Sequence, residues 1–183
     1  TVKKYSKKQY TSAKVRIGVN EKIPVEIGKA VEACGVDFVS VHGRTRAGKY
    51  KAPVDYDAIK AMKEAISIPV IANGDIKDYD KAKEVLEYTK ADGVMIGRGA
   101  IGKPWVFYQL KHGIEDISNE MKKEIILEHF DAMLKFHGPH GAIMFRKLLH
   151  SYSKGYTGAN EFRDIVNKIS DISIMRDMIE NFF

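Results

Sequence analysis

Two glycine turns, each directly after an apolar run, carry residue types that bind phosphate groups. Asn73-Gly74-Asp75 follows Ile68–Ala72, and Gly97-Arg98-Gly99 follows Val94–Ile96. Glycine lets the backbone approach a ligand closely, and a guanidinium offers a planar fork of donors to phosphate oxygens. Each turn alone is also compatible with a plain strand-to-helix connection. Because both would end neighbouring parallel strands, together they predict one phosphate cradle.

Basic side chains precede these turns in the segment Lys14-Val15-Arg16-Ile17. The alternation of a strand puts Lys14 and Arg16 on one face and the two aliphatic side chains on the other. Charges that point into a barrel need an anionic or polar partner. An edge strand with a solvated face is the alternative interpretation.

His42 follows the apolar residues of the next predicted strand. Binding and catalytic residues of βα barrels lie at the carboxyl ends of the strands, which is where His42 falls. A lone histidine is usually structural. The loop that follows, Gly43-Arg44-Thr45-Arg46, adds two guanidiniums and therefore favours contact with a ligand.

The elements that must position these residues alternate between strand and helix up to about Gly113. The predicted strands are Lys14–Ile17, Val36–Val41, Ile68–Ala72 and Val94–Ile96, and the predicted helices are Pro24–Cys34, Asp55–Ile66, Asp78–Lys90 and Pro104–His112. The run Val94–Ile96 predicts a strand covered on both faces. Strands separated by helix-length connections indicate parallel βα units. Four units make the C-terminal half of a TIM (βα)8 barrel, so the predicted fold class is α/β.

After Gly113 the pattern becomes purely helical. Helices are predicted over Met121–Phe136 and Ala142–Tyr152, followed by two more that carry Phe162 and Met175 on their apolar faces. Such spacings are typical of an all-α helical bundle. The sequence therefore predicts a partial barrel over residues 1–116 and a helical domain over residues 117–183.

Composition narrows the classes of protein further. Of the 183 residues 44% are apolar and 30% charged, and no apolar run is long enough to cross a bilayer. One cysteine cannot form an internal disulfide, which fits a cytoplasmic protein, and we predict no metal site. The net charge of +6 comes largely from residues 1–16, which hold six basic side chains and no acid. This local excess permits an acidic partner without proving one.

Four motifs together resemble, in order and spacing, those of the tRNA-dihydrouridine synthases, with the bacterial B-type branch most similar. They are Lys14-Val15-Arg16-Ile17-Gly18, His42-Gly43-Arg44-Thr45-Arg46, Pro69-Val70-Ile71-Ala72-Asn73-Gly74-Asp75-Ile76, and Asp92-Gly93-Val94-Met95-Ile96-Gly97-Arg98-Gly99 with Pro104-Trp105. The resemblance runs from about Lys14 to Trp105 and continues more weakly into the helical region.

The resemblance implies an FMN enzyme that reduces uridine to 5,6-dihydrouridine in tRNA, with NADPH as reductant and a C-terminal helical domain that helps to hold tRNA. It implies flavin-ring contacts for Lys14 and His42. It implies that the ribityl phosphate is held by Asn73, Gly74, Asp75, Gly97 and Arg98. Contacts with the substrate nucleotide or tRNA phosphates are implied for Arg16, Arg44, Arg46, Arg146 and Lys147. The uridine would have to leave its stack to reach the flavin.

Two departures from the family pattern bear on activity. The family's proton-donating cysteine belongs to an Asn-x-Gly-Cys-Pro stretch upstream of the lysine strand, and no such stretch occurs here. Cys34, in the last turn of a predicted outer helix, is expected to be a small buried hydrophobe. The family often shows an Arg-Lys-His motif followed by Trp-Tyr. This chain keeps Arg146-Lys147 of that pattern, but it has Leu148 at the histidine position and Ser151 at the tryptophan position. A solvated helix face is the alternative for this pair.

We therefore expect the chain to be the C-terminal portion of such an enzyme, inactive by itself because the general acid is missing. Its half-barrel is expected to pair with the N-terminal half of the barrel or with another copy of itself, since open sheet edges invite pairing. Two alternatives stay open at this stage. One is another phosphate-binding flavin oxidoreductase, and the other is a non-catalytic half-barrel that binds RNA.

Overall fold

The computed structural model describes residues 2–6, 9–49 and 51–183. Lys7 and Lys8 of the basic N-terminal cluster lie outside these residues. The strands are β1 (Ser12–Arg16), β2 (Phe38–His42), β3 (Val70–Asn73) and β4 (Gly93–Met95). The helices are α1 (Val2–Tyr5), α2 (Pro24–Ala33), α3 (Tyr56–Ala65), α4 (Tyr79–Thr89), α5 (Val106–His112), α6 (Asn119–His137), α7 (His140–Tyr152), α8 (Ala159–Val166) and α9 (Ile172–Phe182).

The four strands form one parallel sheet in the order β1-β2-β3-β4. The register pairs Arg16 with His42, His42 with Asn73, and Asn73 with Met95, so the last residues of all four strands lie in one row. Consecutive parallel neighbours joined through helices are consistent with part of a (βα)8 barrel. The predicted α/β class with parallel βα units is confirmed, and the predicted strands differ from the observed ones by one or two residues at each end.

The two faces of the sheet differ in polarity because side chains alternate along each strand. On one face Val39, Val41, Val70 and Ala72 are fully buried, and the helices α2, α3 and α4 each contact strands of this sheet. The other face carries Lys14, Arg16, Ser40, His42, Asn73 and Met95. The predicted inward direction of the polar side chains thus follows from burial of the aliphatic ones.

Aspartates in front of two strands tie neighbouring strands together at their amino ends. Asp37 accepts hydrogen bonds from the backbone N–H and the hydroxyl of Thr11, at 2.7 and 3.0 Å. Asp92 accepts the backbone N–H of Val70 at 2.8 Å and the ammonium of Lys63 at 2.7 Å. A backbone N–H at the end of a ladder needs an acceptor when it is buried, and these carboxylates supply it.

Aspartates cap the starts of two helices. Asp78, where the sequence predicts a helix to begin, caps α4 by accepting the N–H of Lys81 at 2.9 Å. Asp55 caps α3 in the same way through Ala58, also at 2.9 Å. The helix predicted to begin at Pro104 begins instead at Val106. A short 3₁₀ helix at Arg98–Ala100, which the sequence pattern does not indicate, comes before it.

The prediction that the β4 run is covered on both faces is wrong. Val94, Met95 and Ile96 are all half-buried. In the described residues β4 pairs only with β3 and therefore stands at an edge of the sheet. A short continuous apolar run does not distinguish an edge strand from a central one, because both carry the same residue types.

The chain divides into two compact units, Thr1–Gly97 and Arg98–Phe183. In the second unit α6 to α9 surround an apolar core of their own. Its buried members are Trp105, Ile117, Ile126, Phe130, Ala142, Phe145, Leu149, Tyr152, Phe162, Val166, Met175 and Ile179. This division falls before the predicted boundary at residues 116 and 117. That the helices form a separate domain stays a prediction.

Candidate functional site

A chain of hydrogen bonds crosses the polar face of the sheet near its carboxyl edge. The ammonium of Lys14 on β1 reaches over β2 and donates to Oδ1 of Asn73 on β3, at 3.0 Å. The amide nitrogen of Asn73 in turn donates to the backbone carbonyl of Met95 on β4, at 2.7 Å. Because Asn73 is fixed from both sides, its amide orientation is defined by these two bonds. The predicted site residues Lys14 and Asn73 are thus brought together.

His42 lies on β2, between Arg16 of β1 and Asn73 of β3 in the register, and is 8% exposed. Burial is the main cause that lowers the pKa of His42 to about 4, and the positive charges of Arg16, Lys14 and Arg44 lower it further. The carboxylate of Asp75 opposes this shift. His42 is therefore a neutral imidazole at physiological pH, with one ring nitrogen that donates and one that accepts.

Lys14 and Arg16 share the face that the alternation predicts. Burial, followed by the charge of Arg16, lowers the pKa of Lys14 below its usual value. Arg16 donates to the backbone carbonyl of Thr45 at 2.9 Å, which ties the loop after β2 to β1. Lys14 is exposed and Arg16 is half-buried. Two neighbouring cations are stabilised by an anion, and this electrostatic character suits a phosphate or an electron-rich ring.

The structure places Arg44 differently from the predicted tRNA contact. Its side chain is 4% exposed, and its guanidinium pairs with both carboxylate oxygens of Asp75, at 3.1 and 2.5 Å. Its Nε also donates to the backbone carbonyl of Ala52. A loop residue carries no periodic signal that tells whether it points outward, so the sequence could not reveal this placement. These bonds favour a structural role.

The turn after β3 has an unusual backbone conformation. Gly74 has φ 134° and Asp75 has φ 46°, and left-handed values are uncommon for residues other than glycine. Tyr56, at the start of α3, donates its hydroxyl to the carbonyl of Gly74 at 2.8 Å. Burial and the charge of Asp75 raise the pKa of Tyr56 to about 12. Sequence reasoning missed Tyr56, because the first position of a helix gives no hint of a contact with the next strand.

The backbone at Gly97 faces open space. A Cβ built there would meet no described atom within 4 Å beyond its chain neighbours. Gly97 is exposed and follows β4 by two residues, which places it at the same edge as Asn73. The site therefore has room for a group close to the backbone. Arg98 belongs to the second unit, and its predicted part in the same cradle stays a prediction.

The other predicted contacts for tRNA lie in two different settings. Arg46 is exposed and, with Arg16, lines an open cleft of about 600 Å³ at the β1 edge. In the second unit Arg146 donates from Nε and a terminal nitrogen to the carbonyl of Ile169, at 3.0 and 2.5 Å. Its neighbour Lys147 is exposed. The exposed Lys147 is therefore accessible to an external anion, whereas Arg146 already donates to the carbonyl of Ile169.

The expectation that Cys34 is buried is wrong, because its side chain is exposed at the C-terminal end of α2. The end of a helix that precedes β2 lies toward the amino ends of the strands, opposite to His42. Within the described ranges no cluster of three or more histidine, cysteine or carboxylate residues could hold a metal ion. No described helix is both long and apolar enough to span a membrane.

Fold and site together define an α/β protein of consecutive parallel βα units. Its sheet presents cationic and amide side chains, with a neutral imidazole, at the carboxyl edge. These donors fit an anionic group near the backbone at Gly97. They also fit a polar ring near Lys14 and His42.

Comparison with known proteins gives the family. The chain belongs to the dihydrouridine synthase family, whose profile matches residues 1–181. It is 48% identical to a probable tRNA-dihydrouridine synthase of Helicobacter pylori, with all of the chain aligned to 56% of that protein. It is 44% identical to tRNA-dihydrouridine synthase B of Vibrio parahaemolyticus, over 87% of the chain and 52% of that protein. A probable tRNA-dihydrouridine synthase of Rickettsia bellii is 40% identical over 94% of the chain.

These similarities confirm the resemblance that the four motifs indicate, including the relation to the B-type branch. The chain spans about half the length of the curated relatives it matches.

Proposed function

We propose that this chain is the flavin-phosphate and tRNA-binding part of an FMN-dependent tRNA-dihydrouridine synthase, an oxidoreductase that acts on uridine in tRNA with NADPH as reductant. The observation that carries the proposal is the hydrogen-bonded set of Lys14, Asn73 and Met95 beside the neutral His42, on one polar sheet face. Membership of the dihydrouridine synthase family supports the same chemistry. FMN, when bound, supplies the hydride transfer, and the protein supplies orientation and charge.

Lys14 and His42 would hold the ring of FMN from the sheet face. The exposed ammonium of Lys14 has three donors, so it can donate to a ring oxygen while it keeps its hydrogen bond to Asn73. A neutral imidazole adds one donor and one acceptor without adding charge. Both side chains would bind and orient the flavin ring. Holding the reacting groups in position is a contribution that the protein makes to catalysis.

The ribityl phosphate would be held by the turn Asn73-Gly74-Asp75 together with Gly97 and Arg98. Backbone N–H groups in glycine turns and one guanidinium are the donor set that suits a phosphate. The open space beside Gly97 supports this assignment, because a phosphate needs close approach to the backbone. Arg16 and Arg46 would meet the substrate nucleotide or its phosphates, while Lys147, with Arg146, would meet tRNA on the helical unit.

The proton that completes reduction of uracil at C5 would need a donor other than Cys34. Cys34 is the single cysteine and lies at the end of α2, away from the carboxyl edge of the sheet. The chain as given is therefore proposed to bind FMN and tRNA and to be inactive alone in dihydrouridine formation.

Comparing FMN with riboflavin, which lacks the phosphate, tests this proposal by flavin-fluorescence titration of the full chain. We expect Arg98→Ala, which removes roughly one charge-assisted hydrogen bond, to weaken FMN binding by about tenfold and leave riboflavin binding unchanged. Gly97→Ala should also weaken FMN binding and spare riboflavin, because its Cβ occupies space beside the backbone that the phosphate needs. Gly97→Ala should fold normally because its Cβ enters open space. Lys29→Ala, which removes an exposed charge on α2, is the matched control. Unchanged FMN affinity in both variants would refute the phosphate assignment.

The reaction itself is tested on the complete gene product with unmodified tRNA and NADPH. Formation of dihydrouridine in tRNA is expected. NADPH oxidation that serves a small heterocycle and ignores tRNA would favour another flavin oxidoreductase. Salt-sensitive tRNA binding without any flavin affinity would favour a non-catalytic RNA-binding protein.

A further inference from the structure

The geometry points to Arg44 as a positioning residue that shapes the phosphate-binding turn Gly74–Asp75, in place of the tRNA contact that the motif implies. This inference rests on the proposed function, because the turn matters only if it holds the flavin phosphate. It assigns Arg44 and Asp75 to one neutral pair, whose side chains shape the turn and contact neither tRNA nor FMN.

The guanidinium of Arg44 is hydrogen-bonded within the first unit. Each of its three nitrogens donates within the protein, two to the Asp75 carboxylate and one to the carbonyl of Ala52. The side chain is 4% exposed. A bidentate guanidinium–carboxylate pair fixes direction as well as distance, so Arg44 defines where the Asp75 side chain points. Reaching tRNA would break this pair.

The charge of Asp75 also supports a positioning role for Arg44. A carboxylate has the wrong sign for direct contact with a phosphate, yet Asp75 stands in the predicted phosphate turn. Pairing with Arg44 neutralises it, and the turn can then approach an anion without repulsion. Asp75 also has the left-handed φ of 46°, which neighbouring contacts must hold in place for a residue with a Cβ.

The turn is braced from a single segment, which runs from Arg44 in the loop after β2 to Tyr56, the first residue of α3. Arg44 holds the side chain of Asp75, and the hydroxyl of Tyr56 holds the carbonyl of Gly74. Val54 fills the space behind Gly74, where a Cβ would come within 2.9 Å of both of its methyl groups. The segment therefore fixes the backbone of the turn on three sides. A turn that binds phosphate through its N–H groups depends on such fixed geometry.

The test compares the ratio of FMN to riboflavin affinity among variants of the full chain. Arg44→Lys keeps a positive charge but loses the fork, and Asp75→Asn keeps the shape and tolerates a left-handed backbone. We expect both variants to lower the ratio by about tenfold while riboflavin affinity stays within about twofold. Tyr56→Phe should lower the ratio less, because it removes one neutral hydrogen bond. Lys63→Met breaks an ion pair with Asp92 at the opposite edge of the sheet and should leave the ratio unchanged.

The outcomes distinguish failure of the proposed function from failure of the positioning role of Arg44. If the wild-type chain does not prefer FMN to riboflavin, the proposed function fails and this inference with it. If the wild type prefers FMN and both variants keep the preference, Arg44 does not position the turn. A parallel loss of both affinities together with a lowered melting temperature would assign the pair to general stability and overturn the inference. If Arg44→Lys fails to fold by circular dichroism, Asp75→Asn decides the question.

Discussion

At the scale of single residues, His42 combines burial with a mainly cationic neighbourhood. Arg16, Lys14 and Arg44 all lower its pKa in addition to burial, and Asp75 alone opposes them. Three nearby cations would make a charged imidazole costly, so the structure selects the neutral form. Since a neutral ring neither repels Lys14 nor competes with it for an anion, the two residues can serve the same ligand.

The depressed pKa of His42 predicts a loss of stability in mild acid. The unfolded chain takes up a proton on His42 near pH 6.5, whereas the folded chain resists protonation until about pH 4. The unfolded state therefore binds more protons in this range, and the free energy of unfolding should fall as the pH drops from 6.5 toward 4. Urea titrations of the wild type and His42→Gln across this range measure the effect, with a smaller decline expected in the variant. Identical declines, or an NMR titration of His42 near its ordinary pKa, would contradict it.

The direction of side chains could be predicted from sequence wherever strand alternation applies. The inward direction of Lys14, Arg16 and His42 follows from period-two alternation and matches the register of the sheet. Arg44 lies in a loop and Cys34 at a helix end, where no periodicity applies. Whether such residues are buried depends on contacts with residues distant in the sequence, such as the pair of Arg44 with Asp75. These contacts cannot be predicted from local sequence patterns.

At the scale of elements, the order and type of helices and strands in the βα units could be predicted because apolar runs, caps and glycine breaks agree with one another. Asp78 at the start of α4 is one such agreement. The 3₁₀ helix Arg98–Ala100 was not predictable, since its residues carry no distinct pattern. The burial of β4 was mispredicted because its place at the edge of the sheet is a property of topology.

The aspartates before β2 and β4 make a testable contribution to strand pairing. Asp92→Ala would leave the N–H of the fully buried Val70 without its carboxylate acceptor and Lys63 without its partner. We expect the free energy of unfolding to fall by about 1–3 kcal/mol, the cost of an unsatisfied buried donor. Urea denaturation measures this change. Glu84→Ala, which breaks the exposed pair with Lys81 on α4, is the control and should cost about 0.5 kcal/mol or less. Equal losses in the two variants would assign Asp92 no special role.

At the scale of the whole molecule, the net charge of +6 is unevenly distributed along the chain. Residues 118–183 balance acids and bases, yet the stretch Ala132–Asn160 within them contains no aspartate or glutamate. This stretch includes the end of α6 and all of α7, and it carries both Arg146 and Lys147. A local basic segment inside a balanced unit is compatible with phosphate contacts that the overall charge does not reveal.

Arg146 is hydrogen-bonded within the protein and Lys147 is exposed, so we expect their replacement to change tRNA binding differently. Lys147 is exposed, so Lys147→Ala should remove one phosphate contact and reduce the slope of log K against log salt by about 0.7–0.9, with unchanged stability. Arg146 donates to the carbonyl of Ile169, so Arg146→Ala should instead lower the free energy of unfolding by about 1–2 kcal/mol and change the slope less. Titrations of unmodified tRNA at several salt concentrations, with urea denaturation of each variant, separate the two effects. If Arg146→Ala reduces the slope as much as Lys147→Ala and leaves stability intact, then the Ile169 contact does not restrain Arg146. The pair would in that case act together on the RNA, as the family motif implies.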